Sequence, residues 1–132
     1  MKTKLTQLIL AIIAMLVLGI ASASAGVLGK YHVKGSEGPY TFKGTLKLTS
    51  YNTATVRLKY SDGDSLVTKG RFKTPLKNTK KSQTVNCVWS AYGLKGTGKL
   101  TISGSSKGYK TTFSYNVSSV GVSGRGSGSK KP

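Results

Sequence analysis

Few residues in this chain could carry acid–base, nucleophilic or metal chemistry. It contains one histidine, one cysteine and three acidic residues, whereas catalysis needs such groups at controlled distances from one another. His32 alternates with Lys30 and Lys34 on the polar face of a predicted strand, and Glu37 falls in a Gly-Ser-Glu-Gly-Pro segment that favours a solvated turn. We therefore expect no enzyme activity, no metal site and no cofactor.

The remaining acidic residues, Asp62 and Asp64, flank Gly63 between two predicted strands. A calcium loop needs more oxygen ligands at defined spacing. A glycosidase pair needs a sugar cleft around its two carboxylates. The pattern is better explained by a hairpin turn.

The single cysteine, Cys87, shares one face of a predicted strand with Val85 and Trp89. A free cysteine among apolar neighbours is usually a buried structural thiol, and that is the expectation here. Pairing between two chains is the alternative, because the cysteine has no partner within its own chain.

Basic residues are the most informative feature. The chain has 21 Lys and Arg against three Asp and Glu, a formal net charge of +18. A surface of one sign at this density favours a polyanionic partner. Ten of the basic residues are predicted to share the polar face of the strands and to form the binding surface: Lys30, Lys34, Lys43, Lys47, Arg57, Lys59, Lys69, Arg71, Lys99 and Lys110.

The expected partner is an anionic polymer such as lipopolysaccharide or an acidic polysaccharide. Nucleic acid is less favoured, because single-strand binders add aromatic stacking platforms to the basic face, and the aromatic residues here mostly fall on the apolar face. Lysine also outnumbers arginine, which favours diffuse charge contacts over bidentate ones.

These residues must be positioned by strands. Apolar and polar residues alternate with a period of two, as in Phe42, Gly44, Leu46 and Leu48, which predicts half-buried antiparallel strands. Short connections favour an all-β, eight-stranded antiparallel up-and-down meander that closes into a barrel; a β-sandwich is the alternative. Strands are predicted at about 28–35, 40–49, 53–60, 65–73, 83–90, 94–103, 109–117 and 120–126.

The predicted hairpins also imply a register. Lys43 should oppose Lys59, Arg57 should oppose Lys69, and Gly98 should oppose Phe113. Like charges directly opposite one another destabilise a sheet, so the first two pairs strengthen the expectation of an anionic partner. Inward glycines such as Gly98 suit tight coiling beside aromatic neighbours.

An internal repeat supports the count of eight strands. The pattern Y-x-x-K-G-T-x-K-L-T occurs at 40–49 and again at 92–101. It predicts duplication of a four-strand unit, with repeats at about 28–73 and 81–126 in a barrel domain at 26–126. Residues 127–132 contain only Gly, Ser, Lys and Pro, which is typical of a flexible basic tail.

The first 25 residues have the pattern of a secretory signal peptide. Lys2 and Lys4 precede an apolar run at 8–20 and an Ala-Ser-Ala-Ser-Ala segment. Cleavage is expected after Ala25, with Ala23 as the second choice. A retained anchor is the alternative, but the run is shorter than the ~20 residues that a spanning helix needs. The mature protein is therefore expected in the periplasm or outside the cell.

The meander, together with the Gly29-Lys30-Tyr31 opening, resembles the calycin group of small secreted barrels, which includes lipocalin-like and avidin-like proteins. The resemblance implies a barrel whose interior can be filled or can hold a ligand. It transfers no ligand-binding residue, because avidin-like sites use several tryptophans and this chain has only Trp89. Three hypotheses follow: a surface that binds an anionic polymer, a carrier of a small apolar ligand, and a secreted inhibitor or cationic effector.

Overall fold

The computed structural model describes residues 26–131, which form one closed antiparallel barrel in which each strand pairs with the next and β8 pairs with β1. The predicted eight-stranded meander barrel is confirmed and the sandwich alternative is wrong. The strands are β1 (Gly29–Glu37), β2 (Tyr40–Leu48), β3 (Thr53–Tyr60), β4 (Ser65–Phe72), β5 (Gln83–Ala91), β6 (Leu94–Ser105), β7 (Gly108–Val117) and β8 (Val122–Lys130).

The core lies inside the barrel and follows the alternation in the sequence. In β2, Phe42, Leu46 and Leu48 are buried, while the intervening Lys43 and Lys47 are exposed. Burying one large apolar side chain contributes about 1.5–3 kcal/mol. Slipping a strand by one residue would turn its apolar side chains outward, so the core fixes which face of each strand points inward.

Two inward glycines allow adjacent strands to approach closely. A Cβ added at Gly44 would lie 1.8 Å from the carbonyl oxygen of Arg57, and one added at Gly98 would lie 1.8 Å from that of Ser114. No side chain fits at either position. Glycine at such sites lets a sheet bend sharply enough to close.

Strand β8 extends beyond its predicted end at 126, so the expected flexible tail at 127–132 is wrong for residues 127–130. Three of its inward positions, Gly124, Gly126 and Gly128, are glycines because neighbouring strands cover them closely. An added Cβ would lie 2.4 Å from the Tyr115 ring at Gly124 and 2.4 Å from the Phe113 ring at Gly126. A Gly/Ser-rich composition, typical of a linker, here forms a strand beneath large neighbours.

One end of the barrel is closed. Val27 and Leu76 are buried there, the first before β1 and the second in the long β4–β5 connection. The Tyr31 hydroxyl donates to the carbonyl of Val27 at 2.8 Å, and the backbone N–H of Val27 donates to Asn78 Oδ1 at 3.1 Å. The opposite end carries the β1–β2, β3–β4, β5–β6 and β7–β8 connections, which leave it open.

The predicted signal peptide at 1–25, with its cleavage sites and its anchor alternative, lies outside the described residues. Among residues 26–131, no helix is long and apolar enough to cross a membrane. The two copies of the repeat pattern fall mainly on β2 and β6, the second strands of the two halves of the barrel. The duplication itself stays a prediction.

Candidate functional site

The open end of the barrel contains a cavity of about 430 Å³. This volume lies within the range of about 300–1,000 Å³ that is typical of small-molecule sites. Because β3, β4, β5 and β7 all turn apolar side chains inward near this end, the cavity wall is largely apolar. Its inner wall includes Val56, Leu58, Leu66, Trp89 and Phe113.

Glu37 is the polar centre of this cavity. It ends β1, and the alternation Tyr31, Val33, Gly35 directs it inward, so the expectation of a solvated turn is wrong. Oε1 of Glu37 accepts hydrogen bonds from the hydroxyls of Tyr60, at 3.2 Å, and Tyr115, at 2.5 Å. Within residues 26–131, Oε2 of Glu37 has no hydrogen-bond partner.

The two tyrosines act as hydrogen-bond donors. Burial raises the pKa of Tyr60 and of Tyr115 above the usual tyrosine value, and Glu37 raises both further. Both hydroxyls therefore keep their protons at neutral pH. They hold one carboxylate oxygen of Glu37 in place and leave the other available.

Aromatic contacts with Phe42 hold Tyr60 and Phe113 in position on the cavity wall. The rings of Phe42 and Tyr60 meet edge to face, with centroids 5.7 Å apart. Those of Phe42 and Phe113 are stacked, with centroids 6.1 Å apart. Because Phe42 is buried and contacts both rings, it sets the positions of two residues that line the cavity.

Trp89 lines the same wall and carries a buried polar atom. Its side chain is 7% exposed, and its indole Nε1 is buried without a hydrogen-bond partner among the described residues. The benzo edge of the ring covers Gly70, where an added Cβ would lie 2.3 Å from Cζ3 of Trp89. In contrast, the nearby Thr68 hydroxyl donates to the carbonyl of Ser90 at 2.8 Å.

The rim of the cavity is also apolar. Tyr40, Tyr92, Leu94 and Val120 all line it, and all are exposed. Tyr92 has a φ of 51° and is the one non-glycine residue with positive φ among the described residues. Such a conformation costs about 1–2 kcal/mol, yet here it presents a side chain that is 79% exposed at the mouth.

Charge is distributed unevenly between the cavity and the outer surface. All three acidic residues of the chain, Glu37, Asp62 and Asp64, line the cavity. Asp62 and Asp64 occupy the β3–β4 turn as predicted, and the Asp64 N–H donates to Asp62 Oδ1 at 3.0 Å. Within the described part of the chain, no lysine or arginine lines the cavity.

Neither a family model nor a curated protein matches this chain. Among solved structures, a redesigned β-barrel, mFAP1, bound to DFHBI is similar, with a TM-score of 0.54 and 20% identity over 78% of this chain and 94% of the other. EF1p2_mFAP2b bound to DFHBI has a TM-score of 0.53 and 18% identity over 80% and 93% of the two chains. At this identity the similarity concerns the fold, a small β-barrel.

All ten basic residues predicted to bind a polyanion are exposed on the outside of the barrel. Lys34 opposes Lys43, and Lys43 opposes Lys59, which gives one lysine row across β1, β2 and β3. Lys99 lies away from this row, on β6, whereas Lys110 on β7 lines the same surface depression as Lys34 and Lys43.

The predicted pairing of Lys43 with Lys59 is confirmed, but that of Arg57 with Lys69 is wrong. Arg57 opposes Val67, and Lys69 opposes Thr55. In the pairing of β3 with β4, neither Arg57 nor Lys69 therefore lies directly opposite another basic residue. On the outer face of the described barrel, directly opposed like charges occur only in the lysine pairs between β1 and β2 and between β2 and β3.

The remaining reactive residues lie apart from the cavity. His32 is exposed on the outer face of β1. Cys87 is buried, as predicted, and burial raises the pKa of its thiol to about 12. Among residues 26–131, no three His, Cys, Asp or Glu side chains are grouped as metal ligands would be.

Proposed function

We propose that this protein binds a small organic molecule in the open end of its barrel, as a carrier or ligand-binding protein and not as an enzyme. The cavity supports this proposal most directly. It combines an apolar, aromatic wall with a few convergent polar groups, namely Glu37, Tyr60 and Tyr115, which is the usual composition of a small-molecule site.

The comparison with solved structures adds support. Both similar barrels carry the small ligand DFHBI, so a barrel of this type can hold such a molecule.

A binding role is favoured over a catalytic one because no histidine or cysteine lines the cavity in the part of the chain that the structure describes. In the described part of the cavity, Glu37 therefore has no histidine or cysteine beside it to form a nucleophile–base pair.

Trp89 gives a direct test of ligand binding, because it is the only tryptophan and lies in the cavity wall. Its fluorescence should change when DFHBI or another small apolar compound enters. Native mass spectrometry of the exported protein, purified without denaturation, should then identify any ligand that it retains.

Matched variants on β4 locate the binding. Leu66 lines the cavity, whereas its neighbour Val67 points outward and is 44% exposed. Leu66→Phe fills part of the cavity and should weaken binding at least about tenfold, while Val67→Phe should leave it within about twofold. Equal effects of the two variants, or no binding by any compound, would contradict the proposal.

A second function is favoured by the lysine row formed by Lys34, Lys43 and Lys59. In the described structure no carboxylate lies on this face to relieve the repulsion, since all acidic residues line the cavity. We therefore also propose that the outer face of β1–β3 contacts an anionic polymer, such as lipopolysaccharide or an acidic polysaccharide, after export to the periplasm or the extracellular space.

Paired substitutions test the lysine row. Lys43→Gln with Lys59→Gln should reduce the salt dependence of binding to lipopolysaccharide and to an acidic polysaccharide more than Lys95→Gln with Lys99→Gln on β6 does, although both pairs remove two charges. Equal effects would show that the attraction depends on net charge alone. The inhibitor or effector hypothesis gains no specific support from this geometry.

A further inference from the structure

We propose that the cavity selects an organic cation: a molecule whose protonated amine binds Glu37 and whose apolar body packs against Trp89 and Phe113. This inference rests on the proposed ligand-binding function and names the chemical class of the ligand. It depends on the hydrogen bonding of Glu37, the distribution of charge and the composition of the wall.

The hydrogen bonds of Glu37 define what its free oxygen requires. Tyr60 and Tyr115 both donate to Oε1, while Oε2 has no partner among residues 26–131. An ionised carboxylate only accepts hydrogen bonds. A ligand that binds Oε2 must therefore bring a donor, and a protonated amine brings up to three donors together with the opposite charge.

The distribution of charge favours the same class of ligand. A cation that enters the mouth meets Asp62 and Asp64 and then Glu37, and no lysine or arginine of the described chain lines its path. An anion would have to be buried beside the Glu37 carboxylate, where water screens repulsion poorly. Outward-facing basic residues act on the ligand more weakly, because salt screens exposed charges over about 8 Å.

The wall suits a cation that carries an apolar or aromatic body. Tyr60, Trp89, Phe113 and Tyr115 line the cavity, and aromatic rings attract ammonium groups through their negatively polarised faces. Trp89 is a separate sign of a ligand, because its buried N–H has no partner in the described chain.

Three probes of matched shape test the selection: 1-naphthylmethylamine, 1-naphthalenemethanol and 1-naphthoate, which are cationic, neutral and anionic at pH 7. Calorimetric titration of the wild-type protein should show the amine binding about tenfold or more tighter than the alcohol, with naphthoate weakest. The protein's formal charge of +18 favours naphthoate by general attraction, so a preference for the amine can arise only in the cavity.

Glu37→Gln keeps the shape of the side chain and removes its charge. It should bring the amine and the alcohol to within about twofold of each other, because the amine loses the opposite charge that distinguishes it from the alcohol. Lys99→Gln also changes the net charge by one unit, but on the exposed outer face of β6 and away from the cavity lining, and should change the affinity for the amine by less than about twofold. If Glu37→Gln does not fold, the wild-type ratio decides the question alone.

The possible failures can be distinguished. If the three probes bind equally, or naphthoate binds best, the cation proposal is overturned and the ligand-binding function stands. The cation proposal is also overturned if Glu37→Gln folds and keeps the preference for the amine. If no probe binds and native mass spectrometry finds no retained ligand, both proposals fail.

Discussion

Glu37, Tyr60 and Tyr115 link the cavity to the stability of the barrel. Their hydrogen bonds connect β1, β3 and β7 across the interior, at the open end of the barrel. Burial raises the pKa of both tyrosines, with a further increase from the nearby carboxylate. Glu37, the proposed ligand-binding residue, therefore also connects three strands. The stability that these hydrogen bonds contribute should depend on pH.

Tyr115→Phe tests this link through the pH dependence of unfolding. At neutral pH the lost hydrogen bond should cost about 1–2 kcal/mol. Above pH ~10 a tyrosine in the unfolded chain loses its proton while folded Tyr115 keeps it, so the unfolded state binds fewer protons and the wild-type protein loses stability as pH rises. The variant lacks this contribution and should lose less.

Urea unfolding at pH 7, 9 and 11 measures both effects. Tyr51→Phe is the control, because Tyr51 lies at the edge of a loop with its side chain 38% exposed. All other groups are common to the compared proteins, so their contributions cancel in the comparison. Parallel stability curves for the wild type and Tyr115→Phe between pH 9 and 11 would contradict the assigned role of this hydroxyl.

At the scale of the elements, the alternation of residue types determined which face of each strand points inward, and this could be predicted. The register between neighbouring strands was harder to predict, because it depends on the position of each turn. Gly98 opposes Tyr115 instead of Phe113, since the β6–β7 turn follows Ser105 directly and Ser105 pairs with Gly108. Moving a turn by one residue shifts each cross-strand partner by two residues, which leaves every side chain on the same face of its strand. The predicted core residues were therefore correct although the predicted register was not.

Glu37 shows the same dependence on strand ends. Glycine and proline after it predict a turn, and the turn begins at Gly38, two residues later than a strand ending at 35 implies. Two more residues of alternation would have placed Glu37 inside the barrel. The volume of the cavity depends instead on how all the inward side chains fill the barrel together, which no local pattern contains.

Gly98→Ala tests the contribution of the closely approaching strands. The added Cβ would meet a backbone carbonyl, that of Ser114, and not a flexible side chain, so β6 and β7 would have to separate. We expect a loss of about 3 kcal/mol in the free energy of unfolding. Thr97→Ala, at the exposed neighbouring position, should cost about 1 kcal/mol or less. Similar losses from the two variants in urea unfolding would rule out close packing as the reason for glycine.

At the scale of the whole molecule, closure of the barrel depends on the segment that composition marks as a tail. Ser127, Gly128 and Ser129 pair with Lys34, Val33 and His32 of β1. The Lys130 ammonium lies 5.3 Å from the centroid of the Tyr109 ring and donates to the carbonyl of Gly26. These contacts join the last strand to the start of the chain at the closed end.

Removing residues 127–132 should therefore open the barrel between β1 and β8. The lost pairing exposes the edge of β1 and the inward side chains beside it, and an unpaired edge promotes association between chains. We expect the melting temperature to fall by more than about 10 °C, measured by circular dichroism, with oligomers in size-exclusion chromatography. Removing residues 131 and 132 alone should change neither result. The opposite result would be an equal melting temperature for the full chain and the chain that lacks 127–132. In that case residues 122–126 suffice to close the barrel, and residues 127–132 are a flexible tail in solution, as their composition predicts.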